Sequence, residues 1–401
     1  MRRAACTIAS ANYLPYARTL CESFKDQHPG YEMFVLIVDR LPAGVDLSPE
    51  PFTAVPVEEL RIPDFKALSF QYDILELNTN VKPTFMKWLL ASGIDELIYF
   101  DPDIQIFSSV EFIYDLLHTM NVVLTPHATA PFPGKDHGLE QEFLSLGVFN
   151  LGFVAVSHSE EASKFLDWWE ERCLDLGFAD PRNGLFVDQK WANLAPALFD
   201  GVSILKHPGC NMAHWNIHER RLSRRLDGYW VNDAVPLVFY HFSGFKVDET
   251  ELVSSKHRGA LTIADRRDLE GVLTDYRSRL LMNGIREYQG HRYAFGTFSD
   301  GRPISLLARR VYSLKRADFS GEDPFDSGSS FYAFAKSKKL LGTKDSSGKF
   351  NALNYDKSDR RVRSINRALR LCLSVLGSDR YTMLMKYLSY ITVLRNQEGL
   401  F

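Results

Sequence analysis

Asp101-Pro102-Asp103 is the first place in this chain where residue types and spacing could do chemistry. Two carboxylates separated by one residue follow the apolar run Leu97-Ile98-Tyr99-Phe100. Brought together without a counter-charge they repel, and their removal from water is costly. A hard divalent cation such as Mg²⁺ or Mn²⁺ relieves both costs, because it takes oxygen ligands and keeps positions open for substrate phosphates. Taken alone the triplet fits such a site or an ordinary surface turn, so its surroundings must decide.

Several other stretches carry groups of the right kind. His241-Phe242-Ser243-Gly244 ends a late apolar run; its imidazole is either a satisfied buried histidine or a nitrogen ligand that suits Mn²⁺ beside two carboxylates. Asp188-Gln189 pairs a carboxylate with an amide, and the same carboxylate would serve as a plain helix cap. Lys82 precedes Pro83 at the start of a helical stretch. Gly152 sits near the start of the run Phe149 to Val156, where a glycine usually marks close approach of a ligand or of backbone. His207, Cys210, His214 and His218 invite a zinc reading, but a single thiol with no second cysteine or acidic ligand at matching spacing does not make one.

The elements that must position these groups follow from hydrophobic periodicity. Ala4 to Ala9 reads as a small-residue strand, Leu14 to Phe24 as a helix, and Met33 to Asp39 as a second buried strand. Such a β-α-β start is the signature of a parallel sheet. Residues 81–93 form a further helix leading into the strand Leu97–Phe100, where Pro102 takes the chain out of the ladder. The Asp101/Asp103 pair then lies at a strand's carboxyl end, where open α/β sheets bind ligands. Residues 112–120 and 160–173 read as helices, 122–125, 149–156 and 238–242 as strands, and Phe186 to Lys190 as the opening of a helix with Asp188 near its start. The first strand-helix turn has no Gly-x-Gly-x-x-Gly, which argues against a dinucleotide dehydrogenase and a P-loop.

At 401 residues the chain accommodates one large domain with an appendage, or two domains. Its net charge of −3 is uneven: residues 301–401 hold 19 Lys+Arg against 9 Asp+Glu, leaving 28 against 41 in residues 1–300. An acidic body that handles an anionic substrate needs a metal or local basic residues. The texture changes near residue 250, a loop-rich segment spans 319–348, and an amphipathic basic helix begins at Arg360. The five cysteines are scattered and unpaired in spacing, as in a reducing, cytoplasmic setting. A signal peptide and a membrane-spanning helix are not expected.

Taken in order, these motifs resemble those of nucleotide-sugar glycosyltransferases of the GT-A fold, the glycogenin-like retaining family and related bacterial cell-surface polysaccharide enzymes in particular. The resemblance covers roughly residues 4–250. It implies an α/β fold, a Rossmann-like mostly parallel sheet flanked by helices, as a catalytic domain over 1–250, with a mainly helical extension over 251–401. It further implies Mn²⁺ (or Mg²⁺) held by Asp101, Asp103 and His241 on the diphosphate of a UDP-sugar donor. Ala9, Ser10, Asn12 and Tyr13 would contact base and ribose, Lys82 would sit near the phosphates, and Asn150 and Gly152 would line the donor sugar. Asp188 would grip sugar hydroxyls, with Gln189 near the anomeric carbon. Gly244 would let backbone approach a phosphate. The family continues to a lysine, proline and tryptophan after that glycine; here Lys246, which would neutralise the leaving diphosphate, falls one residue early and the Pro-Trp pair is absent. His127, Asn211, Trp215 and Asn216 would form the acceptor side. The implied partners are the donor and a glycan or lipid-linked saccharide, and no nucleic acid; the C-terminal basic helix either makes peripheral contact at the inner face of a membrane or packs its apolar stripe on the catalytic domain with its arginines in solvent.

Two rivals are weaker. A haloacid-type phosphohydrolase wants Thr or Val where Gln105 stands, and its motif near the chain start. A catalytically silent GT-A module acting as a scaffold would have no reason to keep Asp101, Asp103, His241, Asp188 and Gln189 together.

Overall fold

A computed structural model describes residues 1–42, 44–134, 138–257, 261–342 and 359–400. The chain divides into two compact units. The larger comprises Met1–Phe65 with Ile74–Ala294, and the smaller Lys66–Asp73 with Phe295–Phe401.

The larger unit is built on a seven-stranded sheet. Its strands are β1 (Arg3–Ala9), β2 (Glu32–Ile37), β3 (Thr53–Pro56), β4 (Glu96–Phe100), β6 (Val122–Pro126), β7 (Phe149–Ser157) and the edge strand Val202–Ile204; a short β5 (Ile104–Ile106) lies outside it. The order across the sheet is Val202–Ile204, β6, β7, β4, β1, β2, β3. β1 pairs in parallel with both β2 and β4, and β2 with β3. Only β7 runs against its neighbours, opposite β4 on one side and β6 on the other. The expected mostly parallel sheet with flanking helices is therefore present. The helix Leu14–Gln27 buries Leu14, Ala17, Leu20, Cys21 and Phe24 completely, the same positions at which its apolar spacing points inward. These pack with Ile98, Phe100, Phe153 and Ala155 of the sheet in one core.

Two differences from the sequence reading have local causes. The larger unit runs on to Ala294 rather than ending near 250. Its late helix Glu270–Met282 buries Val272, Leu273, Tyr276 and Leu280 in a cluster with Tyr240, Phe242 and Phe245, so cutting at 250 would open that core. Asp188 does not open a helix: Leu185–Phe186 is a short strand, residues 187–190 form a turn, and a 3₁₀ segment starts only at Trp191. Val187 has φ +43°, a left-handed value that a β-branched residue rarely adopts and that breaks helical continuation.

The smaller unit is helical. Helices Leu306–Leu314 and Ser330–Ser337 pack Val311, Tyr312, Phe331 and Ala335 around Phe70 and Phe298. Arg309 is buried and donates to the carbonyls of Phe70 (2.7 Å), Tyr72 (2.8 Å) and Phe295 (2.6 Å). The expected basic helix spans Arg360–Ile391, broken by Gly377 at φ +73°, and none of its residues is buried. Of the loop-rich stretch 319–348, residues 343–348 lie outside the described residues. Among the described residues no helix is long and apolar enough to cross a membrane.

Candidate active site

The carboxyl end of β4 and its reversed neighbour β7 create the site. Because β7 runs against β4, with Phe100 opposite Phe153, its opening residues Asn150 to Gly152 arrive at the end where β4 delivers Asp101. The Asp101 N–H donates to the Gly152 carbonyl (2.7 Å). Past Pro102 the chain turns into β5, which pairs antiparallel with the strand Phe239–His241, His241 facing Ile104. A further bond from the Phe242 N–H to the Asp103 carbonyl (2.8 Å) locks that register. A histidine 138 positions on from Asp103 is thereby seated beside it.

The result is a compact triad. His241 Nε2 lies 3.0 Å from Asp103 Oδ1 and 3.9 Å from Asp101 Oδ2, and one ligand atom from each residue falls within 4.8 Å of the others. The imidazole is held from behind: its Nδ1–H donates to Asn150 Oδ1 (3.1 Å), an oxygen that also accepts from Asn211 Nδ2 (3.2 Å). That fixes the tautomer with Nε2 toward the carboxylates, the support a metal-binding histidine ordinarily has. A Cβ on Gly152 would lie 2.7 Å from His241 Nδ1 and 2.8 Å from Asn150 Oδ1, so the glycine makes room for the His241 imidazole itself. Burial pushes the Asp103 carboxyl up, but His241 and the Lys256 charge pull harder, and it rests below the usual carboxylate range. Two carboxylate oxygens and one imidazole nitrogen in this arrangement could hold Mn²⁺ or Mg²⁺.

Beside the triad sits a buried ion pair. Lys82 opens the helix Lys82–Ala91 and is 1% exposed. Its ammonium donates to Asp188 Oδ2 (2.6 Å) and the Leu151 carbonyl (2.7 Å), stands 3.8 Å from Asp101, and lies over the Tyr99 ring at 4.3 Å. The Tyr99 hydroxyl donates to Asp101 Oδ1 (2.8 Å). Burial pushes the Asp188 carboxyl up to about 6, with Lys82 pulling against it. Trp169 Nε1–H holds the Asp188 carbonyl (2.9 Å). The Gln189 amide is engaged too: its Oε1 accepts from Leu151 N (3.3 Å) and Asn150 Nδ2 (3.4 Å), and its Nε2 donates to the Leu146 carbonyl (3.2 Å).

A cavity of about 400 Å³ within the larger unit joins these groups. Of the metal, donor, catalytic and acceptor candidates read from the sequence, Ser10, Asn12, Tyr13, Lys82, Asp101, Asp103, His127, Asn150, Gly152, Asp188, Gln189, Trp215 and His241 line it. Five do not. Ala9 is buried within β1, and Gly244 lies under the Lys256 stem, where a Cβ would come 2.9 Å from Lys256 Cγ. Lys246 is exposed and away from the cavity. Asn211 and Asn216 are fully buried; Asn216 donates to the carbonyls of His127 (3.0 Å) and Asn211 (2.9 Å) and accepts from the Ala213 N–H (3.0 Å), which ties the loop together.

The sequence reading missed Lys256 and Tyr99 and weighed His214 only as a zinc ligand; all three line the cavity. Lys256 Nζ is 3.2 Å from Ser243 Oγ. It gets there because the Ser254 hydroxyl donates to the Ser243 carbonyl (2.7 Å) and the Ser255 N–H to the Gly244 carbonyl (2.9 Å). No local motif announces such stitching. For Tyr99 a signal existed, since a hydroxyl two residues before Asp101 in a strand points to the same face.

With this geometry the chain can be set beside known proteins. No family model matches it. It is 27% identical over 266 residues to the uncharacterized protein YfnF of Bacillus subtilis (strain 168), covering 65% of this chain and 88% of that protein. It is 27% identical over 309 residues to the uncharacterized protein YfnD of the same organism, covering 74% and 93%. Among solved structures it is similar to the galactosyltransferase LgtC in complex with donor and acceptor sugar analogs, at 15% identity and a TM-score of 0.41 over 69% of this chain and 99% of that one. It is also similar to the glycosyltransferase GlyE of Streptococcus pneumoniae TIGR4, at 13% identity and a TM-score of 0.41 over 78% and 73%.

Proposed function

We propose that this chain is a metal-dependent glycosyltransferase that moves a sugar from a UDP-sugar to a glycan or lipid-linked saccharide, with retention of configuration, in surface polysaccharide or glycoconjugate synthesis. The observation that carries the reading is the Asp101–Asp103–His241 triad opening onto a cavity that also holds the Lys82–Asp188 pair. A scaffold has no use for three convergent metal ligands beside a buried charge pair, because each buried charge is costly unless paired.

In this reading Asp101, Asp103 and His241 hold Mn²⁺ or Mg²⁺, which supplies positive charge against the donor diphosphate. Ser10, Asn12 and Tyr13 form the nucleoside end of the cavity. Asp188, ionised and fixed by Lys82, accepts hydrogen bonds from donor-sugar hydroxyls. Gln189, its amide pinned by Asn150, Leu151 and Leu146, stands at the sugar without the freedom or the chemistry of a nucleophile. That favours same-face attack: the acceptor oxygen bonds to the anomeric carbon as the bond to the diphosphate oxygen breaks, and the acceptor proton leaves with the diphosphate. Lys256 takes the phosphate-neutralising part expected of Lys246, since its ammonium faces the cavity with Ser243 Oγ as its hydrogen-bond partner among the described residues.

We place the helix Arg360–Ile391 at an anionic lipid surface. It carries exposed Ile365, Leu371, Val375, Met383, Tyr387 and Tyr390 with arginines at 360, 361, 363, 367, 370 and 380, the composition of an interfacial basic helix.

Titration calorimetry of UDP with and without Mn²⁺ tests the site. Binding should require the metal and weaken sharply in Asp103→Asn. Equal affinity with and without Mn²⁺ would count against the reading.

A further inference from the structure

One wall of the cavity is left unassigned by the donor-binding reading above. From the metal triad a series of rings runs along it. His241 meets Trp215 edge-on (centroids 5.1 Å, 84°), and Trp215 meets His127 (5.2 Å, 75°) and His214 (5.0 Å, 73°). His127 stacks on Phe143 (4.9 Å, 15°), which meets Phe132 (5.9 Å, 48°). Trp215, His214, His127 and Phe143 all line the cavity, and Phe132, half-buried, continues the series beyond it.

The polar atoms of this wall are the informative ones. Trp215 is 6% exposed, yet its Nε1–H has no hydrogen-bond partner among the described residues, and neither has the buried Nδ1 of His214. Buried donors and acceptors are costly to leave unpaired, and in native proteins they are ordinarily satisfied by protein, water or ligand. Burial pushes His127 down to about 4 and His214 well below the usual histidine range, so both imidazoles are neutral near pH 7. Glu142 is the one carboxylate on this side of the cavity lining. An uncharged wall of ring faces with uncommitted nitrogens between them matches a saccharide, which presents C–H faces and hydroxyls together. An acyl chain would leave those nitrogens unpaired, and Lys256, the lining cation whose charge reaches His214, is hydrogen-bonded to Ser243.

Building on the glycosyltransferase reading, we propose that this wall is the acceptor subsite and that it takes a neutral saccharide of at least two residues. The reacting residue lies against Trp215 and His214, and the next residue runs along Phe143 toward Phe132.

The test compares transfer with hydrolysis on the same samples of full-length protein, with Mn²⁺ and whichever UDP-sugar is hydrolysed. Acceptor probes are methyl glycosides of glucose, galactose, mannose and N-acetylglucosamine, the corresponding disaccharides, and octyl glycosides. Disaccharides should be preferred to monosaccharides by about tenfold. Phe143→Leu and Phe132→Ala should erase that preference through KM, Phe143→Tyr should restore it, and the ratio of transfer to hydrolysis should fall with it. A preference for octyl glycosides over disaccharides, an unchanged ratio in Phe143→Leu, or donor hydrolysis with no saccharide accepted would each overturn the subsite. Absence of donor hydrolysis in the wild type would instead overturn the glycosyltransferase reading beneath it.

Discussion

Lys82 and Asp188, 106 positions apart, meet at 2.6 Å with both side chains almost wholly removed from water. Neither partner tolerates solitude. Lys82→Met leaves a buried carboxylate without its counter-charge and should cost about 3 to 5 kcal/mol of stability. The double variant Lys82→Met/Asp188→Leu should recover most of that loss while remaining inactive. Denaturant unfolding of the three proteins measures the cycle. If the double variant is no more stable than the single, the pair is not what stabilises this part of the unit.

Gly152 sets the position of His241. An added methyl would meet the imidazole and the Asn150 amide that orients it. Gly152→Ala should weaken Mn²⁺ binding by roughly 10- to 100-fold, the range seen when a supporting residue of a metal ligand is lost. Titration followed by tryptophan fluorescence reads the effect. Unaltered affinity would mean that His241 is not a ligand.

The two lysines near the late glycine separate cleanly. Lys256→Ala should weaken UDP binding about tenfold, the loss of one charge-assisted contact, whereas Lys246→Ala should leave it unchanged. The opposite ranking would restore the assignment read from the sequence.

Stability should depend on pH through His127. Unfolded, its imidazole takes a proton near 6.5; folded, burial delays this to about 4. Between those values the unfolded chain binds more protons, so stability rises with pH across that window and levels above it, by up to about 3 kcal/mol. His127→Gln should flatten the slope between pH 4 and 6.5, as thermal unfolding at a series of pH values would show. A slope unchanged by the substitution would place its origin elsewhere.

What could be read from the sequence was set by local signals. The helix at Leu14 shows its buried face in its spacing, and Asp101 declares its place because a strand and a proline bracket it. His241 stayed open between a buried histidine and a ligand until the pairing of Phe239–His241 with β5 seated it beside Asp103. The turn at Asp188 was not, since the left-handed Val187 that makes it is a residue type that argues for the opposite. Lys256 was invisible because its position depends on serine hydrogen bonds to a segment 11 residues earlier. The asparagines at 211 and 216 looked like substrate groups, but Asn216 spends its amide on two loop carbonyls and the Ala213 N–H, and Asn211 directs its Nδ2 to Thr125 and Asn150 while its buried Oδ1 has no partner among the described residues; only the packed structure shows where a side-chain amide is directed.

The central claim is that Asp101, Asp103 and His241 hold a cation on which donor chemistry depends. Its most direct test is release of nucleotide from a panel of UDP-, GDP- and dTDP-sugars by the purified protein with and without Mn²⁺, beside Asp103→Ala. The account predicts slow hydrolysis of a UDP-sugar that requires the metal and vanishes in the variant. Hydrolysis that proceeds equally without Mn²⁺ or in Asp103→Ala, or no release from any donor, would contradict it.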